Sequence, residues 1–196
     1  MSFLPPLRRV THSIPFRKGL PMTLSLLLRS ALLHGGEAIA PALGTAERQL
    51  LASPSDALAL ACKAVLLIQL ACHGRTGNRD SYVPTAIGLM DEALQAGDPR
   101  DVVLHWTVGM GLASLPLGWD QADRATDLLR GSLDDPALMR WQRLFGLAML
   151  SGLHQDREQT SDARTCYAGA QSIDPEVAPE LFARFLTRRN ECGAQP

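Results

Sequence analysis

The sequence predicts an all-α fold, a right-handed α-solenoid of about three antiparallel helix pairs with a capping helix at each end. Three observations carry this. Strand signals are nearly absent: aromatics make up 5% of the 196 residues, and no alternating run of valine, isoleucine or threonine occurs. Helix punctuation is abundant instead. Finally, small residues recur with a period of about 38 positions, as Ala86, Met90, Ala93 and Leu94, then Ala125, Leu129, Ser132 and Leu133, then Ala163, Tyr167, Ala170 and Gln171. An Asp-Pro pair follows each set, at Asp98-Pro99, Asp135-Pro136 and Asp174-Pro175. A repeat of this length is a unit that buries its apolar face only by stacking on the next one, which implies paired helices in a row.

Taken in order, the leucine-rich segment 23–33 reads as a helix closing the front of the stack. Ser53-Pro54 with Asp56 reads as an N-cap, a proline at the first helical position and an acidic third residue, opening a long apolar helix to about Cys72. The polar stretch 73–81 is a loop. Pro84 opens a helix that ends at Gly97, a natural C-cap. Asp98-Pro99 opens the next helix, which stops before Pro116 because the residue preceding a proline disfavours the helical region. A helix is predicted over about 120–130, and another from Asp135-Pro136 through Trp141, Phe145 and Met149 to about Leu153. Two more follow, over 160–172 and 176–190. The last sets Leu181, Phe182, Phe185 and Leu186 on one stripe, with Arg184, Arg188 and Arg189 outside it, as suits a helix closing an open end.

Residues 1–21 are expected to form a basic, proline-containing disordered arm, 22–52 an N-terminal helical segment, 53–175 the three pairs, and 176–196 the capping helix and tail. Residues 1–36 hold Arg8, Arg9, Arg17, Lys18 and Arg29 with no acidic residue. That bias also suits an organellar transit segment. As a secretory signal the apolar run Leu24 to Leu28 is poor, being short and broken by Arg29. The whole chain has a net charge of −1, so no nucleic-acid partner is expected. No apolar run reaches the length of a membrane span. The four cysteines, Cys62, Cys72, Cys166 and Cys192, form no CxxC pair and read as free thiols of a reducing, cytoplasmic setting.

The second helices of these units resemble the tetratricopeptide repeat. That family places a small residue, a large apolar or aromatic residue four later, a small residue three after that, and a proline five further on. Ala163, Tyr167, Ala170 and Pro175 match that spacing throughout, whereas Pro99 comes one residue late and Pro136 one early. In the first helices, Leu70-Ala71, Leu112-Ala113 and Leu147-Ala148 stand for the family's leucine-glycine pair. Trp106 and Trp141 each precede a Gly-Leu-Ala by five residues, Gly111-Leu112-Ala113 and Gly146-Leu147-Ala148. The tryptophans sit three residues earlier than the family's aromatic. The resemblance covers about residues 57–175.

The resemblance implies a concave groove lined by Val65, Ile68, Cys72 and Arg75 from the first unit, and by Thr107, Met110, Ser114 and Leu117 from the second. Gln142, Phe145, Met149 and Gly152 come from the third. This lining is apolar, with methionines suited to adaptable contacts. It lacks the lysines and asparagines by which relatives clamp a carboxylate tail. The same residues could instead be core, or be covered by helix 23–33.

Chemistry-bearing constellations are thin. Cys62 and Cys72-His73 lack a second histidine at metal spacing, so no metal site is expected. His105 and His154 read as ordinary core or surface histidines. Gly74 and Gly77 lack the ending of a phosphate loop, and Asp134-Asp135 before Pro136 reads as a capping pair. The expected function is a scaffold that binds a peptide or amphipathic helix of another protein, with no cofactor and no catalysis. A secretion-type chaperone for a hydrophobic client and a helical small-ligand or lipid binder are the alternatives.

Overall fold

Helices with one apolar face are stable only against a neighbour, and here each finds it in the next helix along the chain. The computed structural model describes residues 23–73, 79–115 and 121–184. They form α1 (Leu24–His34), a 3-10 turn (Gly36–Ala38), α2 (Ile39–Ala52), α3 (Ala57–His73), α4 (Arg79–Ala96), α5 (Val102–Ala113), α6 (Ala122–Leu133), α7 (Arg140–Asp156), α8 (Thr160–Ile173) and α9 (residues 177–184). No strand occurs among the described residues. The basic arm, most of the 73–81 loop and the end of the terminal helix lie outside them.

The closest packing is within three successive pairs, α3 with α4, α5 with α6 and α7 with α8. The first helices also touch in a row, α3 to α5 and α5 to α7. Each second helix leans on the following first helix, α4 on α5 and α6 on α7, and α2 and α1 both pack on α3. Ala86, Met90 and Ala93 of α4 are completely buried, as are Ala125 and Leu129 of α6, with Ser132 1% exposed. The third set is looser. Ala163 and Ala170 are buried, but Tyr167 is only half-buried and meets Phe182 of α9 with ring centroids 5.1 Å apart and planes tilted by 53°.

Glycines in the first helices set the spacing between pairs. A Cβ at Gly111 of α5 would lie 2.1 Å from Met90 Cε and 3.2 Å from Val65, which belong to the two helices of the preceding pair. At Gly146 of α7 it would lie 2.8 Å from Leu133 and 3.1 Å from the Trp106 indole nitrogen, again both helices of the preceding pair. The two Gly-Leu-Ala triplets therefore occupy equivalent places.

Several helix starts differ from the sequence reading, each for a local reason. Ser53 is not the cap of α3. Its carbonyl accepts the Asp56 N–H (3.1 Å), and Asp56 Oδ1 caps the helix through the Ala59 N–H at 2.9 Å. Pro84 is interior to α4, which begins five residues earlier at Arg79. The backbone bond that this proline forgoes is the one to the Asp80 carbonyl in the exposed first turn, where the loss is cheap.

The Asp-Pro pairs are turns rather than first helical residues. The carboxylate accepts the N–H two residues on, Arg100 (2.8 Å), Ala137 (2.8 Å) and Glu176 (3.2 Å) in the three copies. Helices α5 and α7 begin only at Val102 and Arg140, and Asp101 caps α5 through the Leu104 N–H at 3.0 Å. In the third copy turn and cap coincide, since Asp174 Oδ1 also takes the Val177 N–H at 3.0 Å. Gly97 ends α4 without a left-handed conformation. It is small because a Cβ there would sit 2.2 Å from Leu104 Cδ2 and 3.1 Å from the Ala57 Cβ.

Candidate functional site: the face of the first helices

Helices α3, α5 and α7 carry the residues expected to line a groove. Val65 and Ile68 are fully buried, Thr107, Met110, Gln142 and Phe145 are 1% exposed, and Met149 2%. Gly152 is buried as well, and Cys72 and Ser114 are half-buried. Arg75 and Leu117 lie outside the described residues. The structure thus brings the face together as interior, and every position from Trp106 to Ala113 is buried. A helix apolar on all sides belongs at the centre of a helical body, and α5 holds that place among α3, α4, α6 and α7.

The polar side chains on this face are tied to backbone. Thr107 Oγ1 donates to the Val103 carbonyl (2.7 Å) and Ser114 Oγ to the Met110 carbonyl (2.8 Å). Gln142 Oε1 accepts the Met139 N–H at 2.9 Å, closing the first turn of α7, while its backbone carbonyl accepts the Trp106 indole N–H at 2.9 Å. Trp106, Trp141 and Phe145 form an edge-to-face ladder, with centroids 5.2 and 5.7 Å apart. The sequence reading used both tryptophans as repeat markers and missed their contact, although their equal distance from Gly-Leu-Ala places them on equivalent turns of adjacent first helices.

A second cluster joins α6, α7 and α8. His154, 2% exposed, has Nε2 3.1 Å from Arg130 Nη2 and Nδ1 2.6 Å from Gln159 Oε1. A guanidinium only donates, so Nε2 accepts and the ring proton sits on Nδ1, donating to Gln159. Arg130 also meets Asp162 at 3.4 Å. With both ring nitrogens engaged, His154 clamps three helices. On the outer face Arg124 pairs with Asp91 at 2.6 Å, linking α6 to α4. Both ion pairs are substantially exposed, so each adds at most about 1 kcal/mol.

Two of the thiols, Cys62 and Cys166, are held toward their neutral form. Burial, with the Asp56 carboxylate adding to it, pushes the Cys62 thiol from 9.0 up to about 12. Burial likewise raises Cys166, with Arg130 opposing and Asp162 adding. Among the described residues no three His, Cys, Asp or Glu side chains gather as a metal-binding group, and no helix is long and apolar enough to cross a membrane. One hollow of about 450 Å³ lies at the α1–α2 elbow, walled by Leu27, Ser30, His34, Glu37 and Pro41.

The fold so described is an all-α protein of serially packed helix pairs. Compared with protein-family models, with curated proteins and with solved structures, the chain gives no significant match.

Proposed function

We propose that the chain is a protein-interaction scaffold: a right-handed solenoid of three tetratricopeptide-like helix pairs, α3/α4, α5/α6 and α7/α8, whose first-helix face receives an amphipathic helix from a partner. The observation that carries this reading is the equivalence of Gly111 and Gly146. Each lets a first helix press against both helices of the pair before it, which is the packing rule of a stack that grows by one unit at a time. The apolar side chains of the first-helix row, Ile68, Met110, Phe145 and Met149 among them, are buried in the chain's own interior, so a partner helix gains a helix-in-groove contact with them only by displacing what packs over them.

The test is chemical-shift mapping on isotope-labelled protein with a panel of synthetic amphipathic helices. Binding that perturbs Ile68, Met110 and Phe145 supports the reading. Perturbation confined to α4, α6 and α8, or saturable binding of lipid with no peptide response, overturns it.

A further inference from the structure

Among the described residues, methionines fall into two environments. Met90 is completely buried and Met110 and Met149 are 1% and 2% exposed, whereas Met139 is 48% exposed. Met1 and Met22 lie outside the described residues. Met139 stands at the N-cap of α7, a place that ordinarily carries a side-chain oxygen able to accept an N–H of the first turn. A thioether is a weak acceptor and a readily oxidised one.

The Met139 sulfur nonetheless carries a hydrogen bond, since the Trp141 indole N–H donates to its Sδ at 3.3 Å. The equivalent tryptophan of the preceding pair, Trp106, donates instead to the Gln142 carbonyl at 2.9 Å. Both indoles are buried, Trp141 at 8% exposure and Trp106 completely, and a buried indole N–H takes an acceptor. For Trp106 the next first helix supplies a backbone oxygen. For Trp141, in the last described pair, the acceptor is a surface sulfur on a flexible, unbranched chain.

Trp141 is also the middle member of the edge-to-face ladder, between Trp106 of α5 and Phe145 of its own helix. A change of acceptor at Met139 therefore acts on the ring that joins the second pair to the third. The backbone of Met139 is held separately, because its N–H donates to Gln142 Oε1 at 2.9 Å. The side chain can alter while the start of α7 keeps its place.

We propose that Met139 is a reversible oxidation site whose state is read by Trp141. The oxidant is a hydroperoxide, hydrogen peroxide being the smallest, which approaches the exposed side of the sulfur. A sulfur lone pair attacks the outer peroxide oxygen, the S–O bond forms as the O–O bond breaks, and the proton of that oxygen passes to the departing one. Sulfur gives up an electron pair to become the sulfoxide, and the peroxide is reduced to water or an alcohol. The sulfoxide oxygen is a stronger acceptor than the thioether, and rotation of the methionine side chain brings it to the Trp141 N–H. The site does not depend on what the first-helix face binds.

The experiment treats the folded full-length chain with dilute hydrogen peroxide. Peptide mass spectrometry follows each methionine, and isotope-edited NMR follows the Trp141 indole N–H. Met139 should gain one oxygen at least about tenfold faster than Met90, Met110 or Met149. The Trp141 indole proton should move to lower field and exchange more slowly with solvent, and a methionine sulfoxide reductase should reverse both changes. Met139→Gln, which places an amide oxygen at similar reach, should show the lower-field signal without peroxide. Met139→Leu should show no response to peroxide at this signal. Oxidation of Met139 no faster than that of the buried methionines overturns the site. Oxidation of Met139 with the Trp141 signal unmoved, or an equal shift in peroxide-treated Met139→Leu, overturns the coupling and the proposal with it.

Discussion

Trp106 and Trp141 meet edge to face at 5.2 Å with their planes at 87°, and the Trp106 indole N–H reaches past its neighbour to the Gln142 carbonyl. This one contact ties the first helices of two consecutive pairs through both apolar and polar bonding. Trp106 is completely buried, so truncation leaves a void the helices cannot close. Trp106→Ala should cost about 3–5 kcal/mol. Trp106→Phe keeps the ring contact but drops the hydrogen bond, and should cost roughly 1–2 kcal/mol. Urea unfolding monitored by far-ultraviolet circular dichroism measures both. Equal losses in the two variants would mean the indole N–H carries the contact and ring volume does not.

Glycines at two kinds of position should respond oppositely to alanine. At Gly88 of α4 and Gly131 of α6 nothing lies within 4 Å of an added Cβ. Substitution there removes backbone entropy from the unfolded chain and should stabilise by about 0.5–1 kcal/mol. At Gly146 the new methyl meets Leu133 at 2.8 Å and the Trp106 indole nitrogen at 3.1 Å, and should destabilise by roughly 1–3 kcal/mol. Melting temperatures of the three single variants decide the point, and a neutral Gly146→Ala would remove the argument for spacing between pairs.

Capping separates the sequence expectation at the start of α3 from what is observed. The carboxylate of Asp56 accepts the Ala59 N–H and also takes a 2.7 Å hydrogen bond from Gln49 of α2. Asp56→Ala should cost about 1 kcal/mol, whereas Ser53→Ala, at an exposed position, should change stability by less than about 0.5 kcal/mol. The reverse order in a denaturant titration would restore Ser53 as the cap.

The buried Cys62 thiol makes stability fall at high pH. Its folded value, about 12, lies above the ordinary 9.0, so above pH 9 the unfolded chain loses this proton before the folded one does. The unfolded state then binds fewer protons, and stability declines as pH climbs from about 9 toward 12. The denaturation midpoint should drop over that window in wild type and drop less in Cys62→Ala. The same burial predicts that Cys62 resists alkylation at pH 8 until the protein is unfolded.

Much of the fold was legible because its signals are local. The leucine run of α1, the small residues of α4 and α6 and the apolar length of α3 predict helices wherever they pack. Boundaries were misjudged where two local devices competed. At Asp98-Pro99 and Asp135-Pro136 the same residues that can cap a helix also build a turn, and the aspartate chose the N–H two residues on. Asp101 was the better cap because its carboxylate had no competing turn to satisfy.

The candidate face was legible only in part. Its residues were nameable from spacing, but their near-complete burial was not, since burial depends on which segment lies over them. His154, Arg130 and Gln159 were invisible as a group, being drawn from α6, α7 and the turn before α8, with nothing in their spacing to join them.

What the sequence determined by itself is the all-helical chain and its rhythm: where apolar and small residues recur, where proline and aspartate interrupt, and which glycines pair with which tryptophans. These are properties of neighbours within a few turns of one helix. Only the tertiary structure decided that Gly111 and Gly146 are contact points between pairs, that the first-helix face is interior, and that Arg184 closes on Leu33. Those contacts join residues up to 151 positions apart, and they follow from how whole helices stack, which no local pattern encodes.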